Sequence, residues 1–175
     1  MADAPDTLTL KRNRDLQGVL PGLWIRRGIL LLLTAFLAVG LANVFGQRPI
    51  TETAAVPAAK LTVYAPNRLR GGDLFSARFH IKARQELKDA RLVLEQGWAE
   101  GMAINTIEPS PIGEASRDGK LAFTLGHIPA GSSYVLYMQF QVNPTNVAWH
   151  RPQNVELDDG DTKLLSIDHD VTIFP

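Results

Sequence analysis

Two different rules govern the hydrophobic and polar positions along this chain. From Gly28 to Gln47 the run GILLLLTAFLAVGLANVFGQ carries no charge between the pair Arg26, Arg27 and the next cation, Arg48, and it leaves no polar stripe at helical spacing. Twenty helical residues rising about 1.5 Å each reach roughly 30 Å, the thickness of a bilayer's hydrocarbon core. The pattern predicts a transmembrane helix over 28–47. A cleaved export signal fits less well, because its apolar run is usually about 7–15 residues and the small-x-small triplet Gly40-Leu41-Ala42 lies inside the run.

After Lys60 the period changes from helical to two. LFSARFHIKA alternates Phe75, Ala77, Phe79 and Ile81 with Ser76, Arg78, His80 and Lys82, which gives one apolar and one wet, basic face. LTVYAP, ARLVLEQG, MAINTIE, KLAFTLG and YVLYMQFQV read as further strands, and NVELDDGDTKLLSIDHDVTIF reads as a closing hairpin about DDGD. Seven or eight strands without a sustained helix predict an all-β fold, an antiparallel Ig-like β-sandwich over 60–175 preceded by one transmembrane α-helix. A partly open barrel is the alternative. Between them, RPITETAAVPAA (48–59) has two prolines and no core pattern, and is expected to be a tether.

Charge sets the orientation. The tail 1–27 holds five cations (Lys11, Arg12, Arg14, Arg26, Arg27) against Asp3, Asp6 and Asp15, which predicts a cytoplasmic basic tail and an extracytoplasmic remainder. Trp24, Arg26 and Arg27 are the expected membrane-interface residues. Leu16, Val19, Leu20 and Leu23 recur at helical spacing, with Pro21 and Gly22 interrupting. The formal net charge is zero, against the basic face that nucleic-acid binding needs. With no cysteine, disulfides, thiol nucleophiles and Cys-based metal sites are excluded.

The stretch GMAINTIEPSPIGEASRDGKLAFTLGHIPAGSSYVLYMQFQV, above all LGHIPAG followed by SSYVLYMQFQV, resembles an Ig-like repeat domain of bacterial and archaeal cell surfaces. Gly126 and Gly131 allow tight turns, Ile128 is placed to plug the end of a sandwich, and Pro129 fixes a corner. The resemblance, from about Arg70 to the carboxyl end, implies an extracellular structural or binding module. This chain holds one copy, on a membrane span. The Lys–Asn cross-link of some such domains is not expected, since SIDHD stands where their terminal Asn would be.

Candidate chemistry is sparse. His80, His127, His150 and His169 form no metal-ligand string, and the acidic group Glu156, Asp158, Asp159 and Asp161 lacks the distal Glu of a calcium loop. No nucleophile elbow or phosphate-cradling loop is present, so no enzyme, metal or cofactor is expected. Arg78, His80, Lys82 and Arg84 make a basic stripe, with Arg68 and Arg70 before it, suited either to a wet strand face or to an anionic partner. Trp98 and Trp149 fall in loop-like segments, where each would anchor an interface or cap the sandwich. The leading expectation is a single-pass protein that presents an interaction or accessory module to another membrane protein or envelope component beside the lipid bilayer. The alternative is a membrane-anchored metal- or small-ligand-binding domain built from the four histidines.

Overall fold

The computed structural model describes residues 20–44 and 46–175. The tail cations Lys11, Arg12 and Arg14, the acids Asp3, Asp6 and Asp15, and the helical-spacing residues Leu16 and Val19 lie outside the described residues. The chain divides into two compact units, Met1–Val44 and Phe45–Pro175.

In the first unit, helix α1 spans Leu20–Leu41, and Gly22–Leu41 is long and apolar enough to cross a membrane. Its bounds correct the expected 28–47. Pro21 does not interrupt the helix, because in the first turn its missing N–H has no intrahelical acceptor to lose. Trp24, Arg26 and Arg27 therefore sit within the helix, and the Arg27 guanidinium lies 5.4 Å from the Trp24 ring centroid. At the other end Asn43 adopts φ 51°, the left-handed cap conformation that Asn tolerates, and its N–H bonds Gly40 O at 3.0 Å. That cap stops the helix well before Gln47.

The second unit is an antiparallel β-sandwich. Its strands are β1 Pro49–Ala55, β2 Ala59–Pro66, β3 Arg68–Arg70, β4 Leu74–Ala83, β5 Leu87–Leu94, β6 Met102–Glu108, β7 Gly113–Arg117, β8 Lys120–Ile128, β9 Ser133–Val142, β10 Ala148–Pro152, β11 Val155–Asp159, β12 Thr162–Ile167 and β13 Asp170–Phe174. Sheet one runs β1-β2-β4-β9-β6 and sheet two runs β12-β11-β5-β8-β7, while β10-β13-β3 forms a small third sheet. Its β13–β3 pair is parallel; every other pair is antiparallel.

Alternation sets the core. Phe75, Ala77, Phe79 and Ile81 from β4, and Leu136, Met138, Phe140 and Val142 from β9, are buried against Leu92, Leu94, Phe123, Leu157 and Val155 of sheet two. Burying one such side chain contributes about 1.5–3 kcal/mol. Ile128 does plug the far end, buried opposite Leu87, and Gly126 and Gly131 adopt φ 80° and 81° beside it.

The segment expected as a tether is in large part strand β1, paired with β2 from Pro49↔Pro66 to Ala55↔Lys60. The sandwich thus begins near residue 49 rather than 60. An edge strand needs only a half-buried pattern, and its first position tolerates proline, so PITETAA pairs without a strong apolar face. The polar loop around Arg117-Asp118-Gly119 is a hairpin, β7–β8, closed by Asp118 and Gly119 at φ 52° and 78°.

Candidate functional site

The outer face of sheet one gathers side chains from three strands. Arg78 projects from the middle of β4, with Tyr64 of β2 and Tyr137 of β9 as its register partners. Its guanidinium carbon lies 5.3 Å from the Tyr64 ring centroid and 5.5 Å from that of Tyr137. Two rings holding one cation restrict its rotamers, and each such contact contributes about 0.5–1 kcal/mol at an exposed site. Tyr64 and Tyr137 remain 38% and 49% exposed, so the cluster is presented and not buried.

Cations extend from this cluster along β4. His80 stands between Thr62 and Val135, Lys82 is opposite Lys60 of β2, and Arg84, just past the strand, donates to Val56 O at 3.4 Å. Among the described residues none of Lys60, Arg78, Lys82 and Arg84 has a carboxylate within ion-pair distance. Glu108, opposite Tyr137 on the edge strand β6, is the acid on the rim. Lys60 facing Lys82 is a like-charge pair that costs stability unless something anionic covers it.

The outer face of sheet two holds its charges differently. Glu156 accepts from Lys120 and Lys163, both at 2.8 Å, and Asp161 lies 3.3 Å from Arg91 and 3.4 Å from Arg117. These groups line an open cavity of about 510 Å³ floored by Val93 and Ala122. Burial opposes ionisation of Glu156, but the hydrogen bonds from Lys120 and Lys163 outweigh it and hold its carboxyl below the usual range. Asp158 is pushed the other way, mainly by burial and then by the Glu156 charge, and its Oδ1 is buried without a partner.

The two tryptophans part company. Trp98 is buried in a 3-10 turn, Gln96–Trp98, with its Nε1 donating to Gln153 O at 2.7 Å, and it packs on Phe79, Phe140 and His169. It is core, not interaction surface, which corrects that expectation. Its segment between β5 and β6 folds across the sandwich end because Gln153 supplies both a carbonyl and an amide to it. Trp149 lies on β10 and not in a loop, edge-on to Phe174, and is 75% exposed.

The histidines do not converge. His80 faces outward on β4, His127 bonds Glu86 at 2.9 Å, and His150 stands beside Trp149. His169 is buried, with Nδ1 2.8 Å from Glu52 Oε2 and its ring stacked on Trp98. Among the described residues no three His, Cys, Asp or Glu side chains form a metal-holding group. The four-histidine ligand set is thereby overturned: the topology assigns its members to separate strands and ends. Sequence reasoning missed Lys60, Tyr64 and Tyr137, whose positions on the polar phase of their strands were the available signal.

No protein-family model matches the chain, and no curated protein matches it. Solved structures that share its outline include AvmM, described as catalysing macrocyclization in alchivemycin A biosynthesis, at 9% identity and TM-score 0.44 over 74% of this chain and 90% of that one. CaCohA2 from Clostridium acetobutylicum is 15% identical with a TM-score of 0.45, over 67% of this chain and 91% of its own. A GH20 exo-β-N-acetylglucosaminidase from Vibrio harveyi is 10% identical with a TM-score of 0.31, over 74% of this chain but 18% of that enzyme. The fold assignment rests on the strand pairing itself, and these likenesses carry no functional argument.

Proposed function

We propose that the chain is a single-pass membrane protein, amino terminus in the cytoplasm, that presents an extracytoplasmic, non-catalytic sandwich as an interaction or accessory module. The observation that carries the docking role is the unpaired cationic face of sheet one, with Arg78 held between Tyr64 and Tyr137. Arg and Tyr are enriched among residues that dominate binding energy, and here they are exposed and stacked together. The partner that fits is an acidic surface of a membrane protein or envelope component. The anchor is α1, in which Arg26 and Arg27 reach the cytoplasmic interface by snorkelling while Trp24 sits among the headgroups. The ordering of GMAINTIE, LGHIPAG and SSYVLYMQFQV supports a surface module of the Ig-like repeat kind.

Crosslinking in intact membranes, followed by purification on a carboxyl-terminal tag, tests this reading. The full chain is expected to recover a defined membrane or envelope component, and Arg78→Glu with Lys82→Glu to reduce that recovery at least about tenfold at low salt, the gap narrowing as salt screens the native contact. Equal recovery by the variant moves the contact off this face. A cytoplasmic carboxyl terminus overturns the orientation.

A further inference from the structure

Six large apolar side chains of the sandwich are exposed among the described residues, and three of them have an internal role. Tyr64 and Tyr137 hold Arg78, and the Ile112 side chain covers Gly126, where an added Cβ would meet its Cδ1. The other three, Leu74, Val147 and Trp149, are each more than half exposed and gather at one end of the sandwich. Backbone bonds bring them together there. Gly72 N–H bonds Val142 O at 3.1 Å, where the segment leading to Val147 begins, and Gly71 N–H bonds Phe174 O at 2.9 Å, beside the ring against which Trp149 stands. Leu74 leaves the same turn as the first residue of β4. The opposite end, around Ala58, Arg84 and Ala130, exposes no large apolar side chain among the described residues.

The backbone itself aims Trp149 outward. β10 takes three steps from Ala148 to Arg151 where β13 takes two from Ile173 to Val171, so one residue is bulged out, and His150 adopts φ 51°, a left-handed conformation unfavourable for a residue with a Cβ. A bulge re-aims the side chain beside it. Within the sandwich this strained bulge gains Trp149 only edge contacts with Phe174 and His150, which points to an occupant outside the sandwich.

The same end receives the chain from α1. Gln47 donates through Nε2 to Leu74 O at 2.7 Å, and Arg48 O accepts from Asn67 N–H at 3.2 Å, so the polypeptide is fixed to this end before β1 begins. Val44 N–H still bonds back to Val39 O at 3.5 Å. Only Phe45 and Gly46 lie between, and three Cα steps reach roughly 10 Å at full extension.

We propose that this end of the sandwich rests on the bilayer surface, with Trp149, Val147 and Leu74 in the boundary between headgroups and acyl chains. The inference rests on α1 spanning the bilayer and is indifferent to which side the sandwich occupies. Tryptophan is enriched at that depth, where its ring meets acyl chain and its N–H meets water or headgroup. Arg48 and Arg70, both exposed at this end, suit lipid phosphates. The neighbouring acids are engaged, Asp73 by the Arg70 N–H at 3.0 Å and Glu100 by Arg151 at 3.8 Å. Lipid is the occupant because so short a connection holds it within reach at a high effective concentration, whereas a soluble partner must arrive by diffusion.

Tryptophan quenching by phosphatidylcholine brominated near the headgroup end of its acyl chains tests this on the full chain in vesicles. With Trp24→Phe the emitting residues are Trp98, which is buried, and Trp149. Their summed emission is expected to fall by at least about a quarter in brominated vesicles, and the fall to vanish when Trp149→Phe is added, since the quencher sits at the depth assigned to Trp149. Val147→Asp, at an exposed position, is expected to remove half or more of that quenching with an unchanged melting temperature. Trp149→Phe in the chain that keeps Trp24 reports the anchor by itself. Trp24 quenched with Trp149 unquenched overturns the proposal and leaves the span standing, while neither quenched overturns both. Quenching of Trp149 that Val147→Asp leaves unchanged also overturns the seating of this end on lipid.

Discussion

The two outer faces of the sandwich each carry four cations and treat them in opposite ways. On sheet two every cation near the centre already has a carboxylate: Lys120 and Lys163 share Glu156, while Arg91 and Arg117 share Asp161. On sheet one Lys60, Arg78, Lys82 and Arg84 have, among the described residues, tyrosine rings, a backbone carbonyl and one another in place of carboxylates. A face whose charges are matched internally has little electrostatic gain left for a partner, because binding must first break what exists. A face that is unmatched holds its charges at a small cost in stability, and recovers that cost when an anionic surface covers it. The number of cations, which the two faces share, is therefore a poorer guide to docking than whether those cations are paired.

Both faces rest on one core, so the largest effect is expected where the faces are lost together. Trp98 is wholly buried and ties the β5–β6 connection to Gln153 through its Nε1. Trp98→Ala removes an aromatic side chain and leaves Gln153 O without its donor, at a cost of about 3–5 kcal/mol. Denaturant unfolding of the full chain measures it. A loss below about 1 kcal/mol would mean that the sandwich end is packed otherwise than described.

A smaller effect separates the faces. Glu156→Gln leaves Lys120 and Lys163 without their shared carboxylate, and both lysines are partly exposed, so the expected cost is about 1 kcal/mol and not the full value of a buried pair. Arg78→Ala, on the other face, breaks no ion pair and is expected to change stability by only about 0.5 kcal/mol. The contrast has a pH signature. With its folded-state carboxyl held below the ordinary value, Glu156 contributes stability that is present above the unfolded pKa of about 4.3 and disappears as pH falls through the folded value. The difference between Glu156→Gln and the native chain should therefore shrink in acid, while the Arg78→Ala difference stays flat. Equal and pH-independent costs would erase the distinction between the faces.

How far the sequence could be read follows the same division between strong and weak patterns. LFSARFHIKA and SSYVLYMQFQV are central strands with large apolar residues at every second position, and β4 and β9 fall where that alternation puts them. β1, β7 and β10 are polar or small-residue strands held by backbone pairing with β2, β8 and β13, and an apolar period records none of that pairing. Trp98 and Trp149 illustrate the limit. Each sits among few apolar neighbours in sequence, yet a carbonyl 55 residues away buries the first, while the second stays exposed beside Phe174. The basic stripe was legible because β4 and the residue after it supply it from one continuous stretch, whereas the tyrosines that hold Arg78 come from β2 and β9 and depend on register.

The finest test lies within the paired face, at the carboxylate that its pairing leaves out. Asp158 stands beside Glu156 with Oδ1 buried and unpartnered, and burial, aided by the Glu156 charge, raises its pKa despite Lys163, Arg117 and Lys120 nearby. For a carboxyl raised on folding the sign is opposite to that of Glu156. Its ionisation costs stability above the raised folded value, and the cost is gone once pH falls below the unfolded pKa of about 3.9. Asp158→Asn is therefore expected to raise the melting temperature slightly at pH 7, with the gain vanishing in acid, where both chains carry a neutral side chain. A lower melting temperature at pH 7 would mean that the lysine and arginine charges around Asp158 outweigh its burial, and that sheet two is short of carboxylate and not, as its pairing implies, sufficient in it.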